Sequence, residues 1–397
     1  MIYNTPWFLG FFAIFYAVLW LVPGSQIRLF FLLAASAFFH AHFAGPAGVF
    51  PIIIMAVVTY CLAIPLAKAE GRGKKQWLML GLGIPIMALA YYKYRAFLVS
   101  AVVGLFPGAQ SGLQSWAQAG AMPLAISFFT FEFVHYLTDV YRGATPSKSP
   151  VKFALFCIYF PSIVSGPIKR YSAFTEQMAQ GLVHPRRNPL GAEGAAQMLL
   201  GFFKKMVVAD NAVTLITVLE NRDHWTLSTS IALIALQSVR ILCDFSGYSD
   251  IAIGLAKLCG LQVPKNFNYP YVAQNIQDFW RRWHMSLSSW IRDYIYIPLG
   301  GSRQGSVRQG VNVIAAMGLC GLWHGAAWNF VLWGLYHGLG MTMHGLWSNR
   351  FPVPEAKGVG RAIFGWAVTL TFVCYGWLLF FYPLPRAWAI TCGLFSL

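Results

Sequence analysis

Apolar runs of membrane-spanning length recur along this chain from end to end, near residues 6–23, 29–44, 49–67, 77–91, 122–141, 151–165, 194–218, 229–256, 311–330, 330–348 and 361–382. About 20 apolar residues in a helix cross the hydrocarbon layer of a bilayer. A charged content of 11% cannot cover a water-facing surface for 397 residues, since soluble domains carry about 25%. The runs therefore predict an all-α, polytopic membrane protein of roughly ten or eleven spanning helices, folded as one domain over residues 1–397. The segments near 96–106 and 151–165 are short and are expected to be broken or re-entrant, which lipid tolerates only where protein or water satisfies the backbone.

Charge orients the bundle. The formal charge of +16 is spread in short clusters between apolar runs, such as Arg72, Lys74 and Lys75, and Arg186 and Arg187. Positive loops face the cytoplasm and meet anionic lipid headgroups, so 68–75 and 142–152 are expected inside and the uncharged 107–121 outside. The first charge, Arg28, follows the first apolar run, and no basic region precedes that run. An uncleaved first span with its N-terminus outside is expected. No nucleic-acid-binding motif occurs and no soluble module gathers the basic residues, so nucleic acid is not an expected partner. The seven cysteines lie singly, with no C-x-x-C, and read as small buried apolar residues rather than disulfides or zinc ligands.

The segment 264–303 is too charged to span as a simple helix. At 3.6 residues per turn Trp283, Leu287, Trp290 and Tyr294 share a face, with His284 beside it and Arg281 and Arg292 opposite. That pattern predicts an amphipathic helix near 278–296, suited to a membrane interface. It reads equally as a plain anchor or as part of a site, and the position of His284 favours the site.

Ionisable groups in spanning runs are costly and mark function by default. Between Arg308 and Arg350 lies no Lys, Arg, Asp or Glu, yet the stretch holds GLWHGAAWNFVLWGLYHG, with His324 and His337, and His344 follows. Small residues around His324 admit another helix or a substrate chain. A neutral imidazole can take a proton from a hydroxyl and return it. The plain alternative, a ring hydrogen-bonded across helices, suits His337 and His344 better. Glu132, His135 and Asp139 share a helix face, and Asp244 and Asp250 lie in LCDFSGYSDIAIG; a hydrogen-bonded polar seam suits these acids better than catalysis. No HExxH, Gly-x-Ser-x-Gly, P-loop or Rossmann pattern is present, and no metal site is expected.

WRRWHMSLSSWIRDYIYIPLGGSR followed by GLWHGAAWNFVLWGLYHG resembles the membrane-bound O-acyltransferase family, and FFTFEFVHYLTDVYRG, FPSIVSGPIKR, DFSGYSDIAIG and PKNFNYPY look like further family blocks in the same order. The resemblance covers about residues 122–345. IPLGGSR favours the bacterial alginate O-acetylase branch; the teichoic acid D-alanyl transfer branch is the alternative, and this chain's length is nearer to it. The resemblance implies a ring of helices around a thin core, pierced by a tunnel or funnel. It implies His324 as the family's membrane histidine and His284 as its second.

The function so implied is transfer of an acyl group, most simply acetyl, from a cytoplasmic thioester to hydroxyls of an exported or cell-surface polysaccharide. The donor would be acetyl-CoA or an acyl carrier, used as a co-substrate with no tightly bound cofactor. A periplasmic or extracellular partner would handle the polymer, and the location would be the bacterial inner membrane. Trp280, Trp283, Trp323, Asp244, Tyr248 and Asn329 are expected to line the substrate path. Arg281, Arg282 and Lys265 are expected to meet donor phosphates. A transporter or flippase without chemistry is the rival of another class.

Overall fold

A computed structural model describes residues 2–106, 108, 113, 116–117, 122–164, 166–222, 224–351 and 358–396. The expected external loop 107–121 falls mostly outside the described residues. Among those described, every regular element is helical, and no strand occurs. The chain divides into two compact units, Met1–Leu199 with Asp250–Pro264, and Leu200–Ser249 with Lys265–Leu397.

In the first unit, α1 (Pro6–Leu21) opens at Thr5, whose side chain accepts the amide of Phe8 while Pro6 supplies a preset first turn. Helix α2 (Ser25–Lys68) is 44 residues long, twice what a bilayer needs. It absorbs both runs expected at 29–44 and 49–67. No loop separates them; Gly45, at φ 63°, and Pro46 kink the helix instead. Helix α3 (Gly71–Leu89) continues through a π-helical turn at Ala90–Tyr94 into α4 (Arg95–Leu105), a run of 35 residues. The break expected near 96–106 is thus a π turn, which widens the helix without ending it.

Helix α5 (Ile126–Tyr141) packs on α2 and α3; a Cβ at Gly81 would lie 2.8 Å from the Leu137 methyl. Helix α6 (Pro150–Ile158) has only nine residues, so the run at 151–165 does not span as one helix. Helix α7 (Tyr171–Ala179) follows. The polar seam expected on α5 forms here. Buried Glu132 pairs with buried Lys169, whose ammonium also lies over the Phe156 and Phe174 rings. The His135 Nε2 accepts the Tyr171 amide at 3.2 Å, which leaves Nδ1 protonated to donate to the Phe131 carbonyl at 3.1 Å.

Helices α8 (Gly191–Phe202), α9 (Asp210–Glu220) and α10 (Leu227–Leu258) come next, with a π-helical segment at Phe203–Ala209 joining the first two. In the second unit, a Cβ at Gly247 would stand 2.8 Å from the Gly201 carbonyl, so these backbones touch. The π segment turns Lys205 toward α10, where its ammonium lies 2.6 Å from both Asp210 and Asp244.

The single amphipathic helix expected over 278–296 does not form. The segment is α11 (Ile276–Arg282), a break at Trp283 and His284, α12 (Met285–Ile291), and a π turn at Arg292–Tyr296. Trp283, Leu287 and Trp290 are buried, so this stretch packs into protein rather than floating at an interface. Helices α13 (Gly305–His324) and α14 (Trp328–Arg350) form a tight hairpin. Gly321 and Gly334 make it possible: a Cβ there would lie 2.1 Å from the Phe330 carbonyl and 2.2 Å from the Met317 carbonyl. Helices α15 (Val359–Phe381) and α16 (Leu384–Gly393) close the unit.

By length and apolarity alone, four described helical runs suffice to cross a membrane: Ser25–Lys68, Gly71–Leu105, Leu227–Leu258 and Val359–Phe381. The hairpin helices are long enough but carry polar side chains, and Asn312 and His337 are buried in them.

Candidate active site

The second unit brings the two histidines singled out from sequence together, with ring centroids 6.3 Å apart. Each sits where a helix ends. His324 is the last residue of α13, and Gly325 leaves the helix in an extended conformation. Gly325 admits no side chain, since a Cβ would meet the Phe330 ring at 2.1 Å. The His324 ring packs edge-on to Trp333 (5.2 Å) and Phe380 (5.2 Å) and beside Trp323 (4.8 Å). It is partly accessible, as a group that must reach a substrate needs to be.

His284 precedes α12 with φ 43°, a left-handed conformation that costs a non-glycine residue roughly 1–2 kcal/mol. Asn266 holds the break. Its carbonyl accepts the Met285 amide at 2.9 Å, its Oδ1 accepts the Ser286 hydroxyl at 2.6 Å, and its amide donates to Ser249 at 3.1 Å. The Asn268 amide meanwhile donates to the Arg282 carbonyl at 3.0 Å. The PKNFNYPY block therefore acts as a backbone clamp on the RRWH block.

The His284 ring is 1% exposed, edge-on to Phe245 at 4.5 Å, and neither ring nitrogen meets a hydrogen-bond partner among the described residues. A buried polar group without a partner costs free energy, so such groups are rare and cluster at functional sites. His284 lies outside the spanning helices. Burial, and secondarily the His324 ring, hold its pKa well below the ordinary value. The ring is therefore neutral, with one N–H to donate and one lone pair.

An aromatic wall surrounds the pair. Trp283 lies 4.9 Å from Trp377, Trp377 lies 5.9 Å from Trp333, and Trp280 lies 5.8 Å from Trp333. The Trp377 indole donates to the Tyr271 hydroxyl at 3.1 Å, which donates to the Ser238 carbonyl at 2.8 Å. The Trp280 indole donates to His337 Nδ1 at 3.3 Å. His337, fully buried, is thus a hydrogen-bond acceptor that aims a wall residue.

Of the other residues singled out from sequence, Trp280, Trp283 and Trp323 join this wall. The Asn329 amide donates to the Leu379 carbonyl at 3.2 Å and so holds the segment carrying Phe380. Asp244 pairs with Lys205, and its neighbour Phe245 is the residue that touches His284. Tyr248 is buried in α10. Arg281 lines a cavity of about 550 Å³ with Trp280, Met285, Arg292 and Met317. Arg282 turns away to Asp278, at 2.9 and 3.0 Å, and Lys265 is exposed; neither lines that cavity.

Asn266, Phe245, Trp333, Trp377 and Phe380 were not picked out from sequence. Asn266, Phe245 and Trp333 lay inside quoted blocks, but an amide, a phenyl ring or an indole carries no charge to betray it. Trp377 and Phe380 lie on α15, beyond those blocks.

Residues 84–384 match the membrane-bound O-acyltransferase family. The chain belongs to that family. This membrane-bound O-acyltransferase is 33% identical to the “Probable alginate O-acetylase AlgI” of Pseudomonas putida, over 96% of this chain and 77% of that relative. It is 31% identical to the peptidoglycan O-acetyltransferase of Helicobacter pylori, again over 96% and 77%. A teichoic acid D-alanyltransferase of Bacillus subtilis is 30% identical over 65% of this chain and 68% of its own length. Membership of an acyltransferase family implies an acyl donor as co-substrate, and the paired histidines lie within the matched span.

Proposed function

We propose that this O-acyltransferase moves acetyl groups from a cytoplasmic thioester, acetyl-CoA, to hydroxyls of an exported or cell-surface polysaccharide. The observation that carries the mechanism is the pair of histidine rings 6.3 Å apart, one accessible and one buried without a hydrogen-bond partner among the described residues. A reacting carbonyl can sit within reach of both. His324 takes the proton of the acceptor hydroxyl as its oxygen attacks the thioester carbon. The neutral His284 donates its N–H to the carbonyl oxygen as negative charge develops there. The carbon–sulfur bond then breaks, the thiolate takes the proton from His324, and ester and thiol leave. The tryptophan wall excludes water, which would otherwise hydrolyse the thioester.

The cavity bearing Arg281 and Arg292 shares Trp280 with the wall and suits the donor. Two guanidiniums fit its phosphates, and methionines fit its flexible arm. Arg281 is retained in that role; Arg282 and Lys265 are not.

The acetyl reading is favoured over D-alanyl transfer because the acetylating relatives align over nearly the whole chain and the D-alanyl relative over about two thirds. The setting we propose is the bacterial inner membrane, with the N-terminus outside and a partner protein handling the polymer. Ten or eleven passes would form one acyltransferase domain, counting the polar hairpin and the kinked halves of α2. The test uses proteoliposomes of the full chain supplied with acetyl-CoA and oligosaccharide. Release of free coenzyme A and ester formation that both depend on His324 support the reading. Equal ester formation by His324→Ala ends it, and substrate uptake without thioester cleavage favours a transporter.

A further inference from the structure

A second cavity, of about 740 Å³, lies in the first unit and is independent of the histidine chemistry. Its size falls within the range of small-molecule sites. The end of α5, the loop 144–149, the start of α6 and one face of α7 line it. This is the stretch whose basic residues mark a cytoplasmic loop.

The loop is held rigid. The Tyr136 hydroxyl accepts the amide of buried Ser147 at 2.9 Å, and the Ser147 hydroxyl donates to the Ser149 carbonyl at 3.0 Å. Ser149 in turn caps α6 by accepting the Lys152 amide at 3.3 Å. Tyr136 and Tyr171 form an aromatic wall, their rings 4.7 Å apart. Against this frame stand Lys148 and Lys152, and neither makes an ion pair with a described residue. Arg142 adds a third cation, and Asp139 and Glu176 add two carboxylates, leaving the lining one charge positive. The N-terminal end of α6, capped by Ser149, adds its partial positive charge.

We propose that this cavity binds a phosphate ester bearing free hydroxyls: lysines for the phosphate, carboxylates for the hydroxyls. A phosphatidylglycerol headgroup and the ribose phosphate of a nucleotide share that chemistry. Two lysines held on a rigid frame bind phosphate without paying to order the loop, which separates a site from a merely basic surface.

The test measures binding to the full chain in detergent, with three probes: short-chain phosphatidylglycerol against phosphatidylcholine of the same chain length, adenosine 3′,5′-bisphosphate, and inorganic phosphate. The expected result is that Lys148→Ser/Lys152→Ser weakens one organic phosphate by about tenfold or more. Lys75→Ser, in the basic first turns of α3 and outside the cavity, leaves that binding unchanged, and Lys148→Arg/Lys152→Arg retains it. Loss confined to phosphatidylglycerol assigns a lipid; loss confined to the bisphosphate assigns a nucleotide. The proposal is overturned if no probe binds the wild type, if the serine pair binds as wild type, or if Lys75→Ser costs as much.

Discussion

The polar seam of the first unit and the histidine pair of the second both bury titratable groups, but they leave them in opposite states. Around Glu132, every group has what it needs: Lys169 for the carboxylate, aromatic rings around the ammonium, and a donor and an acceptor for His135. Around His284, the backbone is clamped while the ring has neither donor nor acceptor among the described residues. A satisfied buried network rigidifies a core. A backbone clamped in a left-handed turn around an unsatisfied ring spends stability on presenting that ring. The same residue type, histidine, is thus built into structure in one place and, in the mechanism proposed, serves chemistry in the other.

The comparison breaks most readily at His324. His324→Ala is expected to lower ester formation about 10²–10⁴-fold, the range of a general base, with the unfolding midpoint nearly unchanged. A loss of fold rather than rate would place His324 with the structural histidines. The next largest effect is expected in the seam. Lys169→Met alone strands the Glu132 charge and should destabilise by about 3–5 kcal/mol, whereas Glu132→Leu/Lys169→Met together should be near neutral. Denaturation in a fixed detergent reads both, and activity per folded molecule should not change. A double variant that folds but does not transfer acyl groups would make the seam part of the machinery.

His284→Ala should cost about 10²–10³-fold in turnover, as loss of one donor to a developing oxyanion does. Because burial keeps this ring neutral, its charge is not used. His284→Gln, uncharged and still an N–H donor, should therefore recover part of the rate. Equal rates for the Ala and Gln variants would mean that the ring only fills space. The smallest effect belongs to Asn266→Ala, which removes side-chain hydrogen bonds to Ser286 and Ser249 worth about 1–3 kcal/mol together. Asn266 is buried and acts through the backbone that carries His284, so kcat should fall with little change in the KM for the donor. A change in KM alone would remove its assignment as a positioning residue.

Membrane residence and helical class were legible in the sequence, as were His324 and His284 as rings to watch, and the structure brings those two rings together. Apolar runs report the solvent, and an ionisable ring in such a run stands out because it is costly there. The seam on α5 was legible for the same reason, from the spacing of Glu132 and His135. The amphipathic reading of 278–296 was not, because helical periodicity assumes an unbroken helix, and the burial of Trp283 and Trp290 gives the same pattern on two short ones. Asn266 was missed because its role is to hold another segment's backbone.

By itself, the order of apolar and polar residues determined that this chain lies in lipid, that it does so as helices, and which rare rings are worth attention. The free energy of transfer is set residue by residue, and a sequence displays it directly. Only the tertiary structure decided which imidazole has hydrogen-bond partners and which has none among the described residues, and that Arg281 rather than Arg282 reaches the cavity of about 550 Å³. Those outcomes depend on hydrogen bonds and ring contacts between residues far apart in the chain, such as Phe245 with His284 and His324 with Phe380. Spacing along one segment carries no information about them.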